Sequence, residues 1–160
     1  MQKTRRHGIL SKTICLALII MTVASLGLMS VGAAGNIRDE AYTFKFSPIS
    51  TGSLKVAEVT RFRDKLDYTS SYMKCTSATT QQTYYDAWVI GTKIDSSGRL
   101  GPSIDCSNNG AYSRIFTAGA TCYLPNLVKE KGLTDAAISG TYSSRTIGCT
   151  FKGVWSPDSV

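Results

Sequence analysis

In the stretch "AYTFKFS", Tyr42, Phe44 and Phe46 fall on one side and Thr43, Lys45 and Ser47 on the other. That period of two is the signature of a strand with one wet face, and it recurs along the chain. "TSSYMKCTSA" puts Met73 and Cys75 on a common face. "RTIGCTFKGVW" aligns Ile147, Cys149, Phe151 and Trp155. "YYDAWVIGTK" is apolar on both sides, Tyr84, Trp88 and Ile90 against Tyr85, Ala87 and Val89, as in a strand lying centrally in its sheet. "AAISGTYS" and the short "PSIDC" are further strand candidates, whereas "SLKVAEVTRFRDKL" fits a helical stripe and an edge strand equally. Turns such as "KIDSSGRLG" and "CSNNGA" supply Gly98 and Gly110 for positive φ. The best helical pattern is "YLPNLVKEKG", with Leu124, Leu127 and Val128 in a stripe, two lysines in the last turn and Gly132 as a stop. The expected fold class is therefore all-β or mainly β. Two packed antiparallel sheets form a sandwich with one short helix from about Pro125 to Lys131, and a small β-barrel is the alternative.

The first residues read as an address. "MQKTRRHGILSKTI" is basic without any acid, an apolar run follows, and "GAAG" ends it. These are the three parts of a secretory signal peptide, with cleavage expected near Ala34 or Gly35. A retained anchor is the rival, because the run approaches the ~20 residues that span a bilayer; the small-residue exit favours cleavage and hence no stable membrane anchor. Cys15 lacks the small residue before it that lipidation would need. Residues 1–35 are thus leader and 36–160 one domain, without repeat or linker. The leader holds four of the 18 Lys and Arg and none of the 11 Asp and Glu, so the remainder carries +3 of the formal +7. So small and scattered a charge provides no basic stripe for phosphates, and no nucleic-acid partner is expected. The only histidine, His7, leaves with the leader. Triad catalysis loses its proton carrier and most zinc sites lose a ligand.

Cys75, Cys106, Cys122 and Cys149 remain. An even number in an exported chain reads as two disulfides, with reduced structural thiols as the other reading. Sequence does not choose among the three pairings. Cys75–Cys106 with Cys122–Cys149 is the expected one, each loop of about 30 residues contributing roughly 3–4 kcal/mol.

The segments "KLDYTSSYMKC", "AWVIGTK", "DCSNNG", "YLPNLVKEKG" and "GVWSPDSV" together resemble a poorly characterised family of small secreted proteins from Gram-positive bacteria. The likeness runs through nearly all of the mature chain and implies an exported, largely β, single-domain protein without an assigned catalytic residue. It also implies sparing use of disulfides.

No cofactor or metal is expected. "DCSNNG" begins like a calcium loop through Asp105, Ser107 and Asn109, but Phe116 stands where the bidentate glutamate belongs. Without histidine, paired carboxylates are the open route to catalysis; Glu58, Asp86 and Asp105 are the candidates for a carboxylate-dependent hydrolase of wall or other polysaccharides. Tyr84, Asp86 and Trp88 share a face, as aromatic rings beside an acid do in sugar sites, and eight tyrosines and two tryptophans are many for so small a domain. Trp155 is a further binding candidate, although its default role is core packing and "SPD" after it reads as a turn. The functional expectation is a secreted domain that binds cell wall, a protein or a competing cell, with no catalysis. An antimicrobial or toxin-like role falls within it.

Overall fold

A computed structural model describes residues 35–48, 56–80, 83–142 and 147–159. The chain divides into two units, Met1–Gly32 and Ala33–Val160; of the expected leader, 1–35, with its expected cleavage near Ala34 or Gly35, all but Gly35 lies outside the described residues. The described strands are β1 (Glu40–Phe46), β2 (Val56–Val59), β3 (Arg63–Asp64), β4 (Ser71–Ala78), β5 (Tyr85–Thr92), β6 (Ile104–Asp105), β7 (Arg114–Phe116), β8 (Thr121–Leu124), β9 (Asp135–Tyr142) and β10 (Cys149–Ser156).

They form two antiparallel sheets. The first runs β1-β10-β4-β8. The second runs β2-β9-β5-β6, with β3 also pairing β9 and β7 also pairing β5. β2 and β3 are two pieces of one edge, separated where Thr60 turns its hydroxyl to the N–H of Ile138. β6 and β7 likewise share the other edge of β5. The sheets pack face to face as a sandwich and do not close into a barrel, so the barrel alternative falls.

Alternation decides which side chains meet between the sheets. Tyr42, Phe44 and Phe46 of β1, Met73 and Cys75 of β4, and Phe151 and Trp155 of β10 face Tyr85, Ala87 and Val89 of β5 across the core. Rings dominate it. Tyr85 lies 4.6 Å from Phe151 and edge-on to Phe44 at 5.6 Å, and Phe46 stacks on Tyr142 at 5.5 Å. The Tyr42 and Tyr85 hydroxyls satisfy each other at 2.7 Å. Burial pushes both phenols well above their ordinary value, so they stay neutral donors and acceptors. Gly140 of β9 makes room for this packing, since a Cβ there would stand 2.7 Å from the Phe44 ring.

Two local expectations are corrected. Residues 125–132 form no helix. One helical hydrogen bond, Lys131 N–H to Leu127 O, is followed by a turn closed by Gly132 at φ 68°. A single turn does not offset helix nucleation. The apolar stripe has another origin: Leu124 ends β8 and Val128 is pulled into the sandwich. Ile147 lies before β10 and is exposed, so the buried face of that strand begins at Cys149.

Candidate functional site

The structure separates the aromatic candidates. Trp155 is 1% exposed and packs in the core, with the Arg63 guanidinium 5.5 Å from its ring centroid. Asp86 and Trp88 lie on the outer face of the second sheet, beside Thr141 and Ser139 of β9, and half-exposed Tyr84 precedes them. Exposed Ile115 of β7 stands opposite Asp86 and enlarges that face. The acids do not converge. Asp105 pairs with Ile90 while Asp86 sits four residues along β5, ~13 Å away at ~3.3 Å per residue. Glu58 stands opposite Gly140, on the reverse face from Asp86. A glycosidase pair needs about 5–10 Å.

All four cysteines are free thiols in this structure. β4 stands between β8 and β10. Cys122 pairs with Met73, Met73 with Trp155, and Cys149 is six residues further along β10, ~20 Å at ~3.3 Å per residue. A disulfide needs Cα atoms within about 7 Å, so this register does not permit a Cys122–Cys149 bridge. Burial raises the Cys75 thiol and pushes Cys106 up to about 11. Burial acts the same way on Cys149, but hydrogen bonds from the Thr83 and Thr79 side chains outweigh it and hold that thiol below its usual value.

The most elaborate polar arrangement is one that periodicity did not reveal. "SPD" does end β10, but Asp158 then turns inward and is fully buried with Lys65. Lys65 Nζ lies 2.5 Å from Asp158 Oδ1, 2.5 Å from the Thr69 carbonyl and 3.4 Å from Asp67 Oδ1. Asp158 Oδ2 accepts the N–H groups of Asn36 at 2.6 Å and Leu66 at 3.0 Å. A charge buried this deeply persists only when paired and fully hydrogen-bonded. Thr69 donates both its N–H and its hydroxyl to Asp67 Oδ1. Burial pushes the Asp67 carboxyl up, yet these Thr69 bonds and the Lys65 charge prevail and hold it below its ordinary value. Ser71 donates to the Pro157 carbonyl, and Asn126 donates to Ser71 and Leu124. Arg63 ties the entering chain to the same end, donating to Asn36 Oδ1, Arg38 O and Trp155 O.

Over this network opens a cavity of about 180 Å³ lined by Ile37, Asp39, Tyr72, Tyr123, Ser156, Asp158 and Ser159. Tyr72 and Tyr123 face each other across β4 and β8, ring centroids 5.7 Å apart and tilted 54°. Tyr123 is 56% exposed. Neither residue stood out in sequence, because their meeting depends on pairing two strands about 50 positions apart. Alternation within "TSSYMKC" would have put Tyr72 opposite buried Met73, on the wet face.

Fold and site together define a two-sheet β-sandwich protein with an open aromatic cavity above a buried charge network. The chain belongs to the DUF2712 family, proteins of unknown function, whose family model matches residues 29–159. That agrees with the resemblance to an uncharacterised family. No curated protein and no solved structure matches the chain.

Proposed function

We propose that this is an exported binding protein whose Tyr72–Tyr123 cavity takes a sugar unit of a cell-wall polysaccharide, without catalysis. The observation that carries the reading is the composition of the cavity. Two tyrosine rings and Ile37 give the cavity an apolar lining, and Asp39, Ser156, Asp158 and Ser159 add polar groups to it. Sugars present an apolar ring face edged with hydroxyls, and amphipathic rings beside a few polar groups match that pattern. Bacterial origin and export by the basic, apolar leader belong to the same proposal, since a wall polymer is met only outside the membrane.

The test is retention of the purified protein on insoluble wall polysaccharide, compared with Tyr123→Ala. Losing that ring removes about 1.5–3 kcal/mol of ligand-dependent burial, roughly tenfold or more in affinity. As a surface change it leaves folding stability within about 0.5 kcal/mol. Equal retention of the variant would refute the assignment of the cavity. Released sugar product would refute binding without catalysis.

A further inference from the structure

Among the described residues, Lys65 and Asp158 form the one ion pair in which neither side chain has any solvent exposure. The contact is also short. Nζ lies 2.5 Å from Oδ1, below the ~2.7–2.9 Å usual for a charge-assisted N–H···O bond. The carboxyl carbon is one C–O bond of ~1.2 Å beyond that oxygen, so it stands no more than about 3.7 Å from Nζ, close to the separation that attack requires. A third group stands where a proton carrier is needed: Asp67 Oδ1 is 3.4 Å from Nζ, oriented by the N–H and hydroxyl of Thr69. Asp158 Oδ2 sits between two backbone donors, Asn36 N–H at 2.6 Å and Leu66 N–H at 3.0 Å.

We propose that Lys65 and Asp158 condense spontaneously to an intramolecular amide, with Asp67 as the proton carrier. The ammonium first gives a proton to the Asp158 carboxylate, leaving a neutral amine and a neutral acid. The Nζ lone pair attacks Cγ and forms the C–N bond, and charge collects on Oδ2 between the two N–H donors, the placement that stabilises a tetrahedral oxyanion. Asp67 takes the next proton from nitrogen and passes it to Oδ1. The C–Oδ1 bond then breaks and water departs. One ammonium and one carboxylate become one amide and one water, without oxidant or co-reactant. The Thr69 carbonyl, 2.5 Å from Nζ, accepts the remaining amide N–H. Asp158 also lines the open cavity, which supplies an exit for the water. The Asp67 carboxyl is held below its ordinary value, burial being outweighed by Thr69 and Lys65, in keeping with a base that starts ionised.

The bond would tie the segment after β3, in the second sheet, to the end of β10, in the first, across 93 positions of chain. It would staple the sandwich at the end that carries the cavity, independently of sulfur and of the sugar reading.

The experiment is intact-mass measurement of the isolated chain after reduction and denaturation, so that disulfides do not contribute. The wild-type chain is expected one water lighter than its sequence mass, with fragmentation returning a branched peptide that joins Lys65 to Asp158. Lys65→Arg, which keeps the cation and cannot form this amide, is expected at full sequence mass. Asp67→Asn keeps both reacting groups and is expected mostly at full mass. A folded wild-type chain at full mass overturns the proposal, as does a Lys65→Arg chain that still lacks a water. Complete condensation in Asp67→Asn removes the role given to Asp67. Fragmentation of the wild-type chain decides the matter even if the arginine variant does not fold.

Discussion

The sandwich is held in two ways at two places. Between the sheets, rings of Phe44, Phe46, Tyr85, Phe116, Tyr142 and Phe151 share their contacts among several neighbours. At the end near the chain terminus, Lys65, Asp67, Thr69, Ser71, Asn126 and Asp158 hold one another through bonds with single designated partners. Ring burial is non-directional and scales with area, so one lost contact is partly absorbed by repacking. A buried ion is different, because its attraction to a partner mostly offsets desolvation. Its net contribution to stability is small, while loss of the partner costs a great deal. The core therefore supplies stability, and the charged end fixes a single course for the segment that follows β10.

The sharpest break of that contrast comes from truncating each region by a similar amount. Measured against wild-type chain in which Lys65 and Asp158 have not yet condensed, Asp158→Ala strands a fully buried ammonium and frees the N–H groups of Asn36 and Leu66. About 3–5 kcal/mol of stability is expected to be lost. Val89→Ala, also fully buried, removes a comparable number of atoms and is expected to cost about 1.5–3 kcal/mol. Urea unfolding of both variants measures the difference. Equal losses would mean that the terminal network behaves as ordinary packing.

Inside the core a single polar contact repeats the contrast on a smaller scale. Tyr42→Phe deletes one hydroxyl and leaves that of Tyr85, 2.7 Å away in the wild type, short of a buried partner. About 1–2 kcal/mol should be lost, between the value of a made hydrogen bond and the penalty of an unmade one. A loss much below this would indicate that Cys75, which shares this environment, takes over as partner.

The same division governs what could be read from sequence. Strands with a buried and a wet face announce themselves locally, and β1, β4 and β10 were legible for that reason, as was the inward position of Trp155; β5 showed itself instead by apolar residues on both faces, and β9, buried on both faces, was a strand candidate from "AAISGTYS". β2, β3, β6 and β7 are short, and their strand character comes from lying beside β9 or β5. "PSIDC" could be guessed at, whereas "SLKVAEVTRFRDKL" kept two readings. The pattern at Leu124, Leu127 and Val128 misled because burial of a strand end and a turn imitates a helical stripe over so few residues. Of the site, the common face of Tyr84, Asp86 and Trp88 followed from alternation. The Tyr72–Tyr123 pair and the Lys65–Asp158 pair did not, since each arises from chain segments that only tertiary pairing brings together.

The smallest expected effect separates two acids by the sign of their pH response. Asp67 belongs to the charged end and is held below the ordinary carboxylate value of 3.8, Thr69 and Lys65 outweighing burial. Its contribution to stability is complete above that value and is lost as pH falls through the lower folded value. Asp135 of β9 is raised by burial, to which the charge of Asp64, opposite it on β3, adds. For a raised acid the sign reverses. Folding is penalised above the folded value, the penalty eases as pH falls through it, and it vanishes below 3.8. These two groups together should give a shallow stability maximum in mild acid, near the ordinary carboxylate value of about 4. Urea midpoints measured from about neutral pH to about pH 3 should rise and then fall. With all chains compared before condensation of Lys65 with Asp158, Asp135→Asn should abolish the rise and leave the fall, and Asp67→Asn should weaken the fall and leave the rise. If either variant changed the wrong limb, the acid would be responding to its neighbours in the opposite sense, and the separation between the two regions would fail at that residue.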